Sequence, residues 1–306
     1  MQPEYAIVGK NKTRLETLIE RFNTRAQAKF YIERMGGHFE DYEAEHQQFY
    51  DALSALQTRL SGVLKNKLIE RAFLPSFLFS EQHMVVVIGQ DGLVANTAKY
   101  AKGQPILAVN PDPARYDGVL LPFQIQNFMS GVERVMSGAF STRNVRLAEA
   151  RLNDGQRLLA FNDLFIGAAT HTSARYRISW QQRTEEQSSS GMIVSTAAGA
   201  TGWMSSVFNM ACGVAGMMGQ SLDLRRPALH DHELIFAVRE PFQSLRTQTG
   251  ITAGRINTDS ALSVESLMPA GGVIFSDGIE SDFLHFNSGT TATIAPAPEQ
   301  AILVTQ

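Results

Sequence analysis

A chain of 306 residues, 44% of them apolar, is long enough for two domains with separate cores. Its formal net charge of -3 offers no general attraction for nucleic acid or an anionic membrane surface. The single cysteine, Cys212, excludes an intramolecular disulfide, and no apolar leader or transit peptide accompanies the charged segment Gly9-Lys-Asn-Lys-Thr-Arg14, so a cytoplasmic protein is expected.

Along the chain, Leu15, Leu18, Ile19 and Phe22 share one helical face, and Gly36-Gly37 supplies a stop. A second helix is predicted from Glu45 to Arg71, with Phe49, Leu53, Leu56, Leu60, Leu64 and Leu68 forming a stripe that packs on a sheet or on another subunit. The apolar run at 83–89 reads as a strand, followed by a short helix to Lys102 that Gly103 stops, and by a strand over Pro105–Asn110. Strand, helix and strand in that order make a right-handed βαβ unit. Pro111-Asp-Pro113 forces a turn, and Ile125–Ala139 reads as a further helix.

After about Ser141 the pattern changes to short alternating runs separated by Gly, Asn and Asp. Asn153-Asp-Gly155 between Val145–Leu152 and Arg157–Phe161 is the strongest hairpin signal in the chain. Further strands are predicted at Arg175–Trp180, Gly191–Thr196, Glu233–Glu240, Ala261–Leu267, Gly272–Ser276, Ser281–Phe286 and Thr291–Ala295, with a helix about Ala211–Gly219. The weakly polar run Val207–Gly219 is too short to cross a bilayer. The division expected is an α/β domain over 1–141 and a β-rich sandwich over 142–306, the last residues being free to pack back on the first domain.

Three segments carry the chemistry: Gly89-Gln-Asp-Gly-Leu93, Phe161-Asn-Asp-Leu-Phe165 and Ser190–Trp203. Asp91 is expected at the carboxyl end of a strand, where open α/β sheets place ligands. Gly89 and Gly92 allow backbone amides close to phosphate oxygens, and the following helix turns its first amides toward the same anion. Phosphoryl transfer needs positioning, charge stabilisation and a carboxylate that takes the attacking hydroxyl's proton or holds the metal. The same Asp-Gly pair is also a common tight turn.

In this order the segments resemble the motifs of NAD kinases, which read Gly-Gly-Asp-Gly-Thr, Asn-Glu and Thr-x-Thr-Gly-Ser-Thr-Ala-Tyr. The match is closest to the mitochondrial type, through Val109-Asn-Pro-Asp-Pro113, Asn162-Asp-Leu-Phe-Ile-Gly167, the Ser-Ser-Gly at 189–191, Val238-Arg-Glu-Pro241 and Phe275-Ser-Asp-Gly278. The resemblance implies a Rossmann-like N-terminal α/β domain of the NAD kinase/diacylglycerol kinase type with a β-sandwich C-terminal domain. It implies ATP-dependent phosphorylation of the adenosine ribose 2'-hydroxyl of NAD to give NADP, with Mg2+ held mainly by the ATP phosphates. Asp91 would be the catalytic carboxylate, Gly89 and Gly92 the ATP-phosphate contacts, and Asn162, Asp163, Thr201, Gly202, Trp203 and Ser206 the NAD contacts. No dedicated protein metal site is then expected, and the site is expected between the two domains. A homo-oligomer is expected, a dimer by preference.

The chain departs from the family pattern at Gln90, Leu93, Ala198, Ala200 and Asp163, and has Ser190 where bacterial-type relatives carry Asp. A Gln90 held at positive φ would cost about 1 kcal/mol or more. A kinase of the same superfamily acting on another alcohol, and an NAD-binding protein without turnover, are the alternatives. Elsewhere, His230-Asp-His232-Glu233 reads as a solvated loop before a strand more readily than as metal ligands. Asp277, Glu280 and Asp282 could gather a cation, yet Asp277-Gly278 reads more simply as a hairpin turn, and the resemblance makes it equally a nucleotide-side loop; His171 and Arg175 read as surface residues or phosphate contacts, and Cys212 as a buried inert thiol.

Overall fold

The computed structural model describes residues 3–222 and 233–306. The chain divides into two compact units, one running to Asn144 and taking in Ala301–Gln306, the other Val145–Gln300.

The first unit opens with β1 (Tyr5–Lys10), α1 (Arg14–Phe22), α2 (Arg25–Arg34), α3 (Phe39–Ser61) and β2 (Lys65–Glu70). Then follow β3 (His83–Ile88), α4 (Asp91–Ala98), β4 (Pro105–Asn110), β5 (Phe123–Gln124) and α5 (Phe128–Ser137). Its main strands are parallel in the order β2-β1-β3-β4, with Val8 opposite both Leu68 and Val86, and Val86 opposite Leu107. The run Met84–Ile88 is buried throughout, as a central strand covered on both faces should be. Leu53, Leu56 and Leu60 of α3 and Val132 of α5 pack with Val8, Val86 and Val109 in one core. The chain leaves β1 for β2 on one side, then returns across it to β3 on the other. That reversal makes a topological switch point between β1 and β3.

Three details differ from the sequence reading. Tyr5–Lys10 is a strand, not merely a charged lead-in. The first helical segment is two helices, since Asn23 takes a left-handed conformation (φ 65°) and the Thr24 side chain caps α2 by accepting from the Gln27 amide. The helix predicted over 45–71 begins earlier, at Phe39, and stops at Ser61. Leu64 and Leu68 continue its spacing by coincidence, Leu64 lying in the turn and Leu68 in β2.

The second unit takes in β6 (Thr142–Leu152) from Val145 on, then β7 (Arg157–Ala160), β8 (Asp163–Ala168), β9 (Ala174–Trp180), β10 (Arg183–Ser189), β11 (Met192–Ser195) and α6 (Trp203–Met217). It continues with β12 (Leu234–Val238), β13 (Ala253–Ile256), β14 (Leu262–Ser266), β15 (Gly272–Ser276), β16 (Ile279–His285) and β17 (Thr291–Val304). The last residues of β17 belong to the first unit, where Ile302 and Leu303 pair with Pro105 and Ile106 of β4. One antiparallel sheet runs β13-β12-β11-β8-β15-β16, and β10-β9-β14-β17 with the β6–β7 hairpin forms the opposing layer. Leu164, Ile166, Val194 and Phe236 of the first sheet meet Tyr176, Ile178, Val264 and Ile294 of the second in a sandwich core. The predicted Asn153-Asp-Gly155 hairpin is present, with Gly155 at φ 91° and the Leu152 amide donating to the Gln156 carbonyl at 2.8 Å.

Because side chains alternate along a strand, Asp163 and Phe165 face away from that core. Helix α6 covers the same outer face, with Met204 packed on Ile193 and Ile235. It starts at Trp203, earlier than the sequence reading placed it, and Cys212 on it is half-buried, not buried. Among the described residues no helix is long and apolar enough to cross a membrane.

Candidate functional site

The carboxyl ends of the four parallel strands surround a cavity of about 180 Å³ in the first unit. Asn11, Lys12, Thr13 and Arg14 reach it from the end of β1, Arg71 from β2, Gly89, Gln90, Gly92 and Leu93 from β3, and Pro111, Asp112 and Tyr116 from β4. Its position at the switch point is where an open parallel sheet binds its ligand.

Local chemistry fixes each edge. Thr13 caps α1 in a reciprocal box, its hydroxyl accepting from the Glu16 amide at 3.3 Å while Glu16 accepts from the Thr13 amide at 2.7 Å. Lys10, buried at the end of β1, donates to the Tyr50 hydroxyl at 2.9 Å and lies 3.5 Å from Glu16 and 3.4 Å from Glu70. Burial opposes its charge, but Tyr50, Glu16 and Glu70 outweigh that cost and hold the ammonium above its ordinary range. Arg14 and Arg115 both donate to Glu45, Arg14 Nε and Arg115 Nη1 each at 2.8 Å, so a nearly buried carboxylate at the cavity holds two guanidinium groups, of which Arg14 lines it.

Gly89 has φ 156°, a value few L residues adopt, and a Cβ there would stand 3.1 Å from Leu93 Cδ2. Gln90 is extended (φ -114°, ψ 165°) and exposed, so the departure from glycine carries no backbone strain. Gly92 has open space where a Cβ would be. No side chain caps α4, and its first turn, Gln90, Gly92 and Leu93, lines the cavity. Asp91 begins α4, half-buried, and its Oδ1 accepts from the Leu120 amide at 2.8 Å, while its neighbours on either side line the cavity. Asn110, from the Asn-Pro-Asp-Pro segment, is buried and fastens the adjoining loop, donating to the Tyr116 carbonyl at 2.9 Å and accepting from the Asp112 amide at 3.0 Å.

In the second unit the Asn162-Asp163 segment is held from two sides. Thr196 Oγ1 donates to the Phe161 carbonyl at 2.6 Å, the Thr196 amide donates to the Asn162 carbonyl at 2.9 Å, and the Gly199 amide closes the loop on Thr196 Oγ1 at 3.1 Å. A Cβ on Gly199 would fall 2.2 Å from the Asn162 carbonyl oxygen, so no larger residue fits. From the other side the Asp277 carboxylate accepts the amides of Phe161, Asn162 and Asp163 at 3.0, 2.6 and 3.2 Å. Asp163 Oδ1 is buried without a hydrogen-bond partner. Burial, with the Asp277 charge adding to it and Ser195 opposing it, pushes the Asp163 carboxyl up to about 7.

Thr201, Gly202 and Ser206 are exposed around the start of α6, and Trp203 is half-buried there. Its indole lies parallel to Phe165 with centroids 5.8 Å apart, and the Arg239 guanidinium stands 5.4 Å from the ring centroid. Phe165, Trp203, Phe275, Phe283, Arg239 and His171 line a larger cavity of about 710 Å³ on this face. Arg175 is exposed on β9. His230, Asp231 and His232 lie outside the described residues, and Glu233 pairs with Arg255 at 2.8 Å. Among the described residues no three His, Cys, Asp or Glu side chains gather as a metal site.

No protein-family sequence model matches the chain, and no curated protein sequence matches it. Its three-dimensional form does resemble solved structures. Yeast NADH kinase complexed with NADH superposes with a TM-score of 0.60 at 13% identity, over 100% of this chain and 84% of the yeast chain. The fold is that of the NAD kinases. An NAD kinase from Archaeoglobus fulgidus in complex with ATP superposes with a TM-score of 0.54 at 15% identity, over 98% of this chain and 92% of the archaeal one. At these identities the likeness is one of fold.

On the NAD kinase fold the sequence motifs gather in two places, Gly89–Leu93 at the sheet edge of one unit and Asn162-Asp163 with Thr196–Trp203 in the other. Sequence reasoning passed over Lys12 and Arg14; it took Thr196 and Gly199 only as part of the third motif, without their contacts to Phe161 and Asn162, and Asp277 only as a turn or nucleotide-side loop, without its grip on three amides. A signal for the first two was present, an apolar strand followed by Thr-x-x-Glu, which is the pattern of a capping box at a helix start.

Proposed function

We propose that the protein is a kinase that transfers the terminal phosphoryl group of ATP to the adenosine ribose 2'-hydroxyl of NAD, giving NADP. The observation that carries this reading is the Gly-x-Asp-Gly turn at the β1/β3 switch point, beside a cavity lined by Lys12, Arg14 and Arg71. Those cations and the uncapped amides of α4 suit the donor's phosphates, and Asp91 is the carboxylate that takes the acceptor's proton. A Mg2+ carried mainly on the donor phosphates would need no dedicated protein cage beside Asp91, and the ion would supply charge neutralisation. Asn162 and Asp163 hold the hydroxyls of the second ribose, and Thr201, Gly202, Trp203 and Ser206 border the nucleotide.

Purified protein with NAD, ATP and Mg2+ should form NADP, and calorimetry on the same sample should show NAD binding. Asp91→Asn should abolish transfer, a loss of about a thousand-fold or more, while leaving the NAD dissociation constant within about two-fold. Full activity in that variant would remove Asp91 from the chemistry, and absence of both NADP formation and NAD binding would overturn the reading. A kinase for a different alcohol is the second reading, favoured by Trp203 already being engaged by Phe165 and Arg239; a screen of nucleoside, sugar and lipid alcohols separates the two.

A further inference from the structure

The β15–β16 hairpin turns through Asp277 (φ 53°) and Gly278 (φ 70°). A tight turn with positive φ at both central residues is served by Asn-Gly at least as well as by Asp-Gly. What distinguishes Asp277 is the use made of its charge. Its Oδ1 accepts from the Asn162 amide at 2.6 Å and the Asp163 amide at 3.2 Å, and its Oδ2 accepts from the Phe161 amide at 3.0 Å. Its own amide donates to the Asp163 carbonyl at 2.9 Å. Three consecutive amides on one carboxylate form an anion-binding nest filled by a side chain from more than 110 positions away. An Asn there would put an amide nitrogen, which cannot accept, against at least one of them.

The arrangement has a local cost. The Asp277 charge adds to burial in disfavouring ionisation of Asp163, whose Oδ1 already lacks a partner. Among the described residues the charge acting on Asp163 is that of Asp277; Ser195 from β11 and Gly202 at the start of α6 bring none. A hairpin needing only its turn gains nothing from a carboxylate in that place. Asp163 Oδ2 faces Gly202, 4.0 Å from where a Cβ there would be, which leaves an acceptor edge aimed at the start of α6.

We propose that Asp277 is a positioning residue. Through the three amides it fixes the Asn162-Asp163 backbone so that the two side chains present a preformed pair of contacts to the vicinal hydroxyls of a nucleotide ribose. The inference rests on the nucleotide-kinase reading above, but its geometric part is separable from it. Asp277 acts through Asn162 and Asp163 and not on the reacting atoms.

The test uses the full chain with Asp277→Asn, and Asp277→Ala as the harsher variant, each checked for folding by circular dichroism and thermal melting. In Asp277→Asn, amide hydrogen exchange at 161–163 should rise about ten-fold while the rest of β8 keeps its protection. The KM for NAD should rise about ten-fold with kcat and the KM for ATP little changed. The pH midpoint of NAD binding should move down, because one negative neighbour of Asp163 is gone. Unchanged exchange at 161–163, or faster exchange with an unchanged KM for NAD and an unchanged pH midpoint, would reduce Asp277 to a turn residue and overturn the proposal. Should Asp277→Asn fail to fold, Asp277→Glu tests the same point, since a longer carboxylate must restore protection and NAD affinity together. A wild-type protein that binds no NAD refutes the kinase reading instead; hydrogen exchange then still decides whether the grip on 161–163 exists.

Discussion

Replacing Asp163 by Asn is expected to make the protein more stable and less able to bind its nucleotide. The Asp163 carboxyl stands at about 7 in the folded chain against an ordinary value of 3.8, burial being the main cause and the Asp277 charge the second that raises it. Between those values the native state keeps a proton that the unfolded chain has released, so stability falls as pH rises through the window and the loss is complete above about 7. The difference is about 3 units, and at 1.36 kcal/mol per unit the upper bound is about 4 kcal/mol. Asn cannot ionise and escapes that loss. At pH 4.5 the two proteins should unfold within about 1 kcal/mol of one another, and at pH 8 the variant should be the more stable by about 1 to 4 kcal/mol. Urea unfolding at a series of pH values measures this directly. A stability difference that stays the same from pH 4.5 to pH 8 would refute the reasoning, because only the ionisation of Asp163 makes it pH-dependent. The same variant should lose NAD affinity, the usual balance when a strained polar group is kept for binding.

Gly199→Ala should cost about 3 kcal/mol in urea unfolding and abolish calorimetric NAD binding, since its Cβ would stand 2.2 Å from the Asn162 carbonyl oxygen and must push the Asn-Asp loop away. Gln90→Gly should leave stability within about 0.5 kcal/mol, because Gln90 is already extended and sits at a helix N-cap where glycine is tolerated. Its effect should instead be a change in the KM for ATP, as Gln90 lines the cavity at the sheet edge; a gain above 1 kcal/mol in a melt would show that Gln90 is strained after all.

What could be read from the chain beforehand was what short range dictates. The strand ending at Ile88, the glycine turn and the strand Pro105–Asn110 stand out because a fully buried parallel strand is a continuous apolar run bounded by Gly and Pro. Asn153-Asp-Gly155 stands out because few sequences reverse the chain in three residues with a glycine ready for the positive φ at the last of them. The helix over 45–71 was overextended for the opposite reason. Leu64 and Leu68 fit a helical spacing by arithmetic alone, and nothing local says that Leu68 pairs with Val8 in a sheet. The strand Asp163–Ala168 was hidden behind its own motif, and β10, rich in Glu, Gln and Ser, lacks the β-branched composition that marks a strand.

The site divides along the same line. Gly89 is required by its own φ and by Leu93 four residues on, so a turn motif exposes it. Gly199 is required because it touches Asn162, and Asp277 matters because it gathers amides more than 110 residues earlier. Ala198-Gly-Ala200 and Ser276-Asp-Gly278 are legible as parts of motifs, but the contact that demands each residue lies far away in the chain and is not written in its immediate neighbours. The cations at the cavity are concealed differently. Lys12 and Arg14 read as a solvated lead-in until β1 is recognised as a buried strand, and once it is, the residues directly after its last one must lie at the ligand edge of the parallel sheet. A six-residue strand at the start of the chain therefore governs whether the first unit reads as a helical preamble or as half of a phosphate site.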